Sequence, residues 1–316
     1  MMFADGPTIS PMDELAANYL AGRQCPDGGF CYYRSWGIDE SNPADTFAAI
    51  QSFALLNRNV TKSNTVIGWL HGFQTEDGGF PSFNIGFFTL ASLLWLDVSP
   101  RVDPTNWLSM QSQRISQPRD TLQSFDEGSL CEIARFLFMC GLYAVAIDAR
   151  MREVIEAQVL PALPGKYQRG DLNLITIYLA SLTLSLAGKS FELAHVADYL
   201  LRCADQNYGF ISVPGSTATS MTTVAAGVSL SLLLRIDMPP GLQSALMTFV
   251  SSCQSGVGGF GRLPGAVPTL QDTRSALYVL KNALNRNPGS KANTRSAAKV
   301  DKKLCKAILR GLLLLW

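Results

Sequence analysis

Charge is scarce in this sequence: 16% of its 316 residues are Asp, Glu, Lys or Arg, against about 25% in an average globular chain. With 47% hydrophobic residues, that excludes intrinsic disorder and implies a large internal surface. Histidine is nearly absent, with only His71 and His195, and the seven cysteines form no Cys-x-x-Cys, so no Cys/His pair has zinc spacing. The odd cysteine count and the lack of a secretory leader read as reduced thiols in a cytoplasmic protein, and no disulfide is expected. There is no phosphate-binding P-loop, no strand-borne dinucleotide fingerprint, no Gly-x-Ser-x-Gly elbow and no Gly-Cys-Gly-Glu-Gln thioester sequence. Kinase, oxidoreductase and α/β-hydrolase readings fall away with them.

The formal charge of +1 is unevenly placed: residues 289–316 hold seven basic residues and one acid, leaving a body of −5 and a tail of +6. An acidic body has no electrostatic footprint for nucleic acid, and the short basic tail limits any membrane contact to the periphery. Two stretches, 172–188 and 215–234, approach membrane-spanning length without a charge. The second carries eight Ser/Thr and both end in turn signals, which favours helices buried on all sides within a protein.

What the chain does have is a period of fifty residues. Gln24-Cys25-Pro26-Asp27-Gly28-Gly29-Phe30 recurs as Gln74-Thr75-Glu76-Asp77-Gly78-Gly79-Phe80, Cys203 to Phe210 matches Cys253 to Phe260, and Pro-Gly pairs fall at 164/165, 214/215 and 264/265. Each unit reads as helix, glycine turn, helix: 15–24 then 45–56, 65–74 then 85–96, with further units near 103–148, 152–188, 192–235 and 242–286. Paired glycines accept positive φ, Asp27 and Asp77 can bind nearby amides, and Gln24, Gln74 and Gln254 are placed to satisfy loop backbone. The second helix of a unit often opens with Asp-Thr, as at 45/46 and 272/273, where the acid suits the positive helix end and reads as its cap.

The first helix of a unit is amphipathic, with Leu193, Val196, Ala197, Leu200 and Leu201 set against Glu192, Asp198 and Arg202. The second is apolar nearly all round, as in 175–182. Only a helix covered on both sides reads that way, so the predicted fold is all-α: an α6/α6 toroid over residues 1–288, with apolar inner helices inside an amphipathic ring and no strands. Residues 289–316 read as a basic C-terminal extension with a short apolar helix.

These turns and their Asp-Thr-x-x-Ala continuations, over residues 13–286, resemble the prenyltransferase/squalene oxidase-type repeats of the α/α toroid superfamily. That superfamily holds the β-subunits of protein prenyltransferases and the squalene and terpene cyclases. The resemblance implies an isoprenoid small molecule in a central apolar cavity, and it leaves the branch open. Zinc-dependent transferases need a Cys where Asn173 stands and a His where Ser275 stands, so the resemblance does not extend to a zinc site. Acid-initiated cyclases need an Asp where Ala44 stands, and the Asp-Asp-x-x-Asp magnesium motif is absent. No resident cofactor is expected, and magnesium would enter only with a diphosphate.

The candidate acids are Asp45, Asp171, Asp272 and Asp126, all opening inner helices at one end of the barrel, where crowding of carboxylates would raise a pKa toward that of a general acid. Each also reads as a helix cap or a solvated loop charge. Arg34, Lys166, Arg169, Arg262 and Arg274 gather at the same end as a possible diphosphate site, and Tyr33, Trp36 and Phe87 head the aromatic residues that could face substrate. The leading expectation is an isoprenoid-acting enzyme leaning to acid-initiated cyclisation. The alternatives are a prenyltransferase β-like subunit that needs a helical partner subunit, and a non-catalytic toroid that holds a lipid or peptide.

Overall fold

The computed structural model describes residues 10–35, 38–116, 127–147, 149–164, 172–239 and 241–284. The basic extension 289–316 lies outside them. Among the described residues twelve α-helices form six hairpins: α1 (Pro11–Ala21) with α2 (Pro43–Leu55), α3 (Ser63–His71) with α4 (Phe83–Trp95), α5 (Thr105–Ser116) with α6 (Glu127–Leu142), α7 (Ala149–Val159) with α8 (Leu174–Leu186), α9 (Leu193–Arg202) with α10 (Met221–Leu234), and α11 (Leu242–Ser252) with α12 (Leu270–Leu284). The even-numbered helices pack on one another in ring order, and α12 returns to pack on α2. Each odd-numbered helix lies on its own partner outside that ring, which completes an α6/α6 toroid.

The inner helices are apolar all round because neighbours cover every face. Ten of the thirteen residues of α4 are buried. Four hydroxyls within this interior bond back one turn, Ser52 to the Ala48 carbonyl, Thr183 to Leu179, Ser229 to Ala225 and Ser231 to Gly227, so each of these is buried with a partner. The buried stripe on α9 is narrower than its sequence pattern suggests: Val196, Tyr199 and Leu200 are buried, whereas Leu193 and Leu201 are exposed. Among the described residues no helix is long and apolar enough to cross a membrane, the apolar stretches at 172–188 and 215–234 being largely α8 and α10 inside the barrel.

The glutamines staple the ring. Gln74 donates to the carbonyls of Gly78 in its own turn and Val102 ahead of α5, and accepts from the Val102 N–H. Gln24 likewise donates to the carbonyls of Gly28 and Thr61, and Gln254 to those of Gly258 and Met12. The last of these joins the sixth unit to the first. Gly258 is required there, since its φ is +97° and a Cβ would stand 2.2 Å from the Leu15 carbonyl oxygen of α1. The motif phenylalanines Phe30, Phe210 and Phe260 are almost wholly buried, and Gly227 of α10 makes room for the ring of Phe210.

Two expectations are corrected. Short strands do occur: β1 (Arg34–Ser35) pairs with β2 (Ile38–Asp39), and β3 (Ala204–Asp205) with β4 (Gly209–Phe210), each an antiparallel hairpin closing a turn. The cap of α2 is Asn42 rather than Asp45, its side chain accepting the Asp45 N–H. Ser82, Asn173 and Ser220 cap α4, α8 and α10 in the same way, and the Thr269 hydroxyl accepts the Asp272 N–H. The motif acids therefore sit one turn inside their helices, where a carboxylate still meets the positive end of the dipole.

Candidate functional site

The inner helices begin at one end of the barrel, and polar side chains tie them together there. Asp45 of α2 is 2% exposed. Its Oδ2 accepts from the Tyr32 backbone N–H at 3.0 Å and from Asn42 Nδ2 at 2.8 Å, while Oδ1 accepts from Gln271 Nε2 of α12. Asn173 Nδ2 of α8 donates to Glu127 of α6 at 2.9 Å, and Arg135 Nη1 of α6 donates to Asn84 of α4 at 3.1 Å. Thr46 and Thr273, next to the motif acids, accept the backbone N–H of Phe30 and Phe260 at 2.9 and 3.0 Å, which fixes each glycine turn to the helix that follows it.

A pocket of about 500 Å³ opens beside Asp45, lined by Cys31, Tyr32, Tyr33, Glu40, Asn42, Asp45 and Gln271. Tyr33 stands 66% exposed at this mouth. The Cys31 sulfur lies 3.2 Å from that of Cys25, both buried. Asp272, one residue after Gln271, has its carboxyl pushed above the ordinary aspartate value, chiefly by burial; a bond from the Thr269 hydroxyl at 2.8 Å and the charges of Arg262 and Arg274 oppose the rise.

Deeper in the barrel the wall is aromatic and cationic at once. Phe47, Phe87 and Phe88 of α2 and α4 form a ring cluster with centroids 5.3 to 6.4 Å apart. The Arg135 guanidinium lies over Phe87 and Phe88 at 5.1 and 4.6 Å, and that of Arg274 over Phe47 at 5.6 Å. Arg274 is completely buried, and burial first, then the Arg135 charge, pull its pKa down to about 9, which leaves it a cation at neutral pH. Among the described residues nothing bonds to its Nε, Nη1 and Nη2, nor to Arg135 Nε.

Of the residues read from the sequence, Asp45, Asp272, Arg274 and Phe87 converge on this end of the barrel, with Tyr33 and the exposed Arg262 at the surface. Arg274 is enclosed rather than displayed, because the first turn of α12 packs against α2. Phe87 is 0% exposed and belongs to the core cluster. The backbone of Arg34 pairs with Asp39 in the β1–β2 hairpin. Asp126, Lys166, Arg169, Asp171 and Trp36 lie outside the described residues. Sequence reasoning passed over Arg135, whose signal was a lone cation in the apolar run 130–140, and over Gln271 and Asn42, which carried no chemical signature.

Asn173, at the transferase cysteine position, caps α8 and bridges to Glu127. Ser275, at the histidine position, is 2% exposed. His71 contacts the Ser99 carbonyl from α3 and His195 pairs with Glu192 on α9, both on the outer layer. Among the described residues no group of three His, Cys, Asp or Glu side chains is placed to hold a metal ion.

No curated protein matches the sequence. Among solved structures the fold is similar to that of the Candida albicans protein geranylgeranyltransferase-I complexed with GGPP, at a TM-score of 0.58 and 14% identity over 77% of this chain and 84% of that one. At such identity the likeness is one of fold. The family model for the prenyltransferase alpha-alpha toroid domain matches residues 7–114, 148–243 and 226–312. With most of its length matched by that model and its six hairpins closed into the corresponding ring, this chain belongs to the prenyltransferase alpha-alpha toroid family.

Proposed function

We propose that the chain is an isoprenoid-acting enzyme that takes a prenyl diphosphate or polyprene at the inner-helix end of the barrel and starts its reaction by protonating an alkene. The observation that carries this reading is Asp272, a carboxyl held protonated to higher pH by burial, one residue from the wall of the 500 Å³ pocket. Asp45 is assigned a different part. Three N–H groups donate to its oxygens, an arrangement that suits an acceptor rather than a proton donor, so it holds the pocket wall. Tyr32 and Tyr33 present π faces to a developing carbocation at the mouth. No zinc is assigned, since its two missing ligands are replaced by a capping amide and a buried hydroxyl.

The test is incubation of the purified protein with geranyl, farnesyl and geranylgeranyl diphosphates and squalene, with and without magnesium, followed by mass spectrometry of extracts. A cyclised product that forms without magnesium and disappears in Asp272→Asn supports the reading. Unchanged turnover in Asp272→Asn removes Asp272 as the acid.

One observation favours a second reading, a β-like subunit completed by a helical partner: Tyr33, Leu263 and Val267 are 66%, 42% and 75% exposed in the loops leading into α2 and α12. A partner would cover them. Purification from the native host distinguishes the two, because a cyclase comes alone and active.

A further inference from the structure

The first glycine turn carries a chemistry that its repeats lack. Cys25 and Cys31 stand at its two ends, with Sγ atoms 3.2 Å apart and each residue 2% exposed. The equivalent positions hold Thr75 and Pro81 in the second turn and Ser255 and Gly261 in the last, so the turn itself needs no sulfur. Thr75 and Ser255 give their hydroxyls to Asp77 and to the Gly259 carbonyl of their own loops, whereas Cys25 lies against the Cys31 sulfur. Backbone pairing holds the two in place: Gln24 bridges to Phe30, the Cys25 N–H donates to the Gly29 carbonyl at 2.8 Å, and the Cys31 N–H to that of Arg23 at 3.2 Å. Cys25 and Cys31 are therefore diagonal neighbours on one face of an antiparallel pairing. A disulfide bond is about 2.05 Å long, so the sulfurs close by roughly 1 Å to form one, within reach of side-chain rotation.

We propose that Cys25 and Cys31 are a redox modification site, a dithiol that a peroxide converts to a disulfide in the wall of the rim pocket. Cys31 lines that pocket, which gives a small oxidant its way in, and Cys25 is the buried partner beside it. The Cys31 thiolate attacks one peroxide oxygen, the O–O bond breaks, and the departing hydroxide takes up a proton and leaves as water. The Cys25 sulfur then attacks the sulfur of the Cys31 sulfenic acid, the S–O bond breaks, and a second water departs with the Cys25 proton. The two sulfurs lose an electron pair and the peroxide gains it; a thiol reductant reverses the bond by exchange. The disulfide closes the loop directly before Tyr32, whose N–H donates to Asp45 and whose side chain lines the pocket, so the oxidised pair pins that wall to the turn. The site stands on the two sulfurs, whatever ligand the pocket takes.

The test is to reduce the full chain, remove the reductant, treat the native protein with hydrogen peroxide, then denature it in iodoacetamide and digest with trypsin. Cleavage after Arg23 and Arg34 leaves both cysteines in one peptide, 24–34. That peptide should carry no alkyl label and weigh two hydrogens less than its reduced, unlabelled form, and dithiothreitol given before alkylation should restore both labels. Cys140, Cys203 and Cys253, whose thiols burial pushes up, should take label throughout. In Cys25→Ser the second step is blocked, and dimedone should trap a sulfenic acid at Cys31; should that variant fail to fold, the wild-type peptide decides alone. Full labelling of 24–34 after peroxide overturns the site, as does pairing of either cysteine with any other, or oxidation of wild-type Cys31 to a dimedone adduct or a sulfinic acid in place of the disulfide. Turnover is not measured, so failure here is distinct from failure of the isoprenoid reading.

Discussion

Gln271 donates its side-chain N–H to the carboxylate of Asp45, across 226 positions of sequence, and so fastens the first turn of the last inner helix to that of the first. Beside it the Tyr19 hydroxyl donates to the Pro268 carbonyl at 2.9 Å, and Lys281 Nζ reaches the Leu55 carbonyl at 3.2 Å. Closure of the toroid rests on these polar links together with the α2–α12 contact. Gln271→Leu removes one donor from a buried carboxylate, and urea unfolding should register a loss of about 1–3 kcal/mol.

Gly258 and Gly265 separate steric from conformational cost. Both have positive φ, +97° and +79°, but a Cβ at Gly258 would strike the Leu15 backbone while one at Gly265 meets open space. Gly265→Ala should lose about 1–2 kcal/mol. Gly258→Ala should lose more than about 3 kcal/mol, because α1 must also shift. Chemical denaturation of the pair checks the ranking.

The repeat-equivalent threonines offer a matched test. Thr46→Val and Thr273→Val each leave the N–H of a buried motif phenylalanine without an acceptor. Each should lose about 1–3 kcal/mol, and the two losses should add.

Stability should fall as pH rises through the acid range at Asp272. Its folded pKa is raised above the ordinary value near 3.8, so in that window the folded protein binds more protons than the unfolded chain, and stability present below the window is lost above it. Asp272→Asn should flatten that segment of the stability–pH curve and be more stable than wild type at neutral pH. Urea midpoints measured at successive pH values give the answer.

Burial pushes the thiols of Cys140 and Cys203 up to about 12 and that of Cys253 to about 11, and raises Cys131 as well. At pH 8 a group with pKa near 12 is thiolate in about one molecule in ten thousand. Thiol titration of the native protein should leave these four unreacted, and denaturant should release them.

The architecture was legible because repetition multiplies a weak local signal. One Gln-x-x-Asp-Gly-Gly-Phe turn is ambiguous, but its return at position 74 fixes a period, and apolar-all-round helices at that period leave few arrangements besides a ring. Gln254 was expected to serve its own turn; that it also grips Met12 follows only once the ring has closed. The site was harder to read. Asp45 and Asp272 look alike in sequence, yet Asn42, Tyr32 and Gln271 surround one while burial beside Thr269 governs the other. Arg274 was read as one of the cations at the barrel's end, and only the packing of α12 on α2 shows it enclosed.

The grip of Gln254 on Met12 also changes how the molecule can come apart. In an open stack of repeats the terminal unit has one neighbour and frays first, so opening proceeds inward from the ends. Here every described hairpin has two neighbours, and releasing any one of them breaks two interfaces at once. A ring of this kind has no cheap first step: it should unzip as one cooperative unit, and hydrogen exchange in α1 and α12 should be as slow as in the helices midway round.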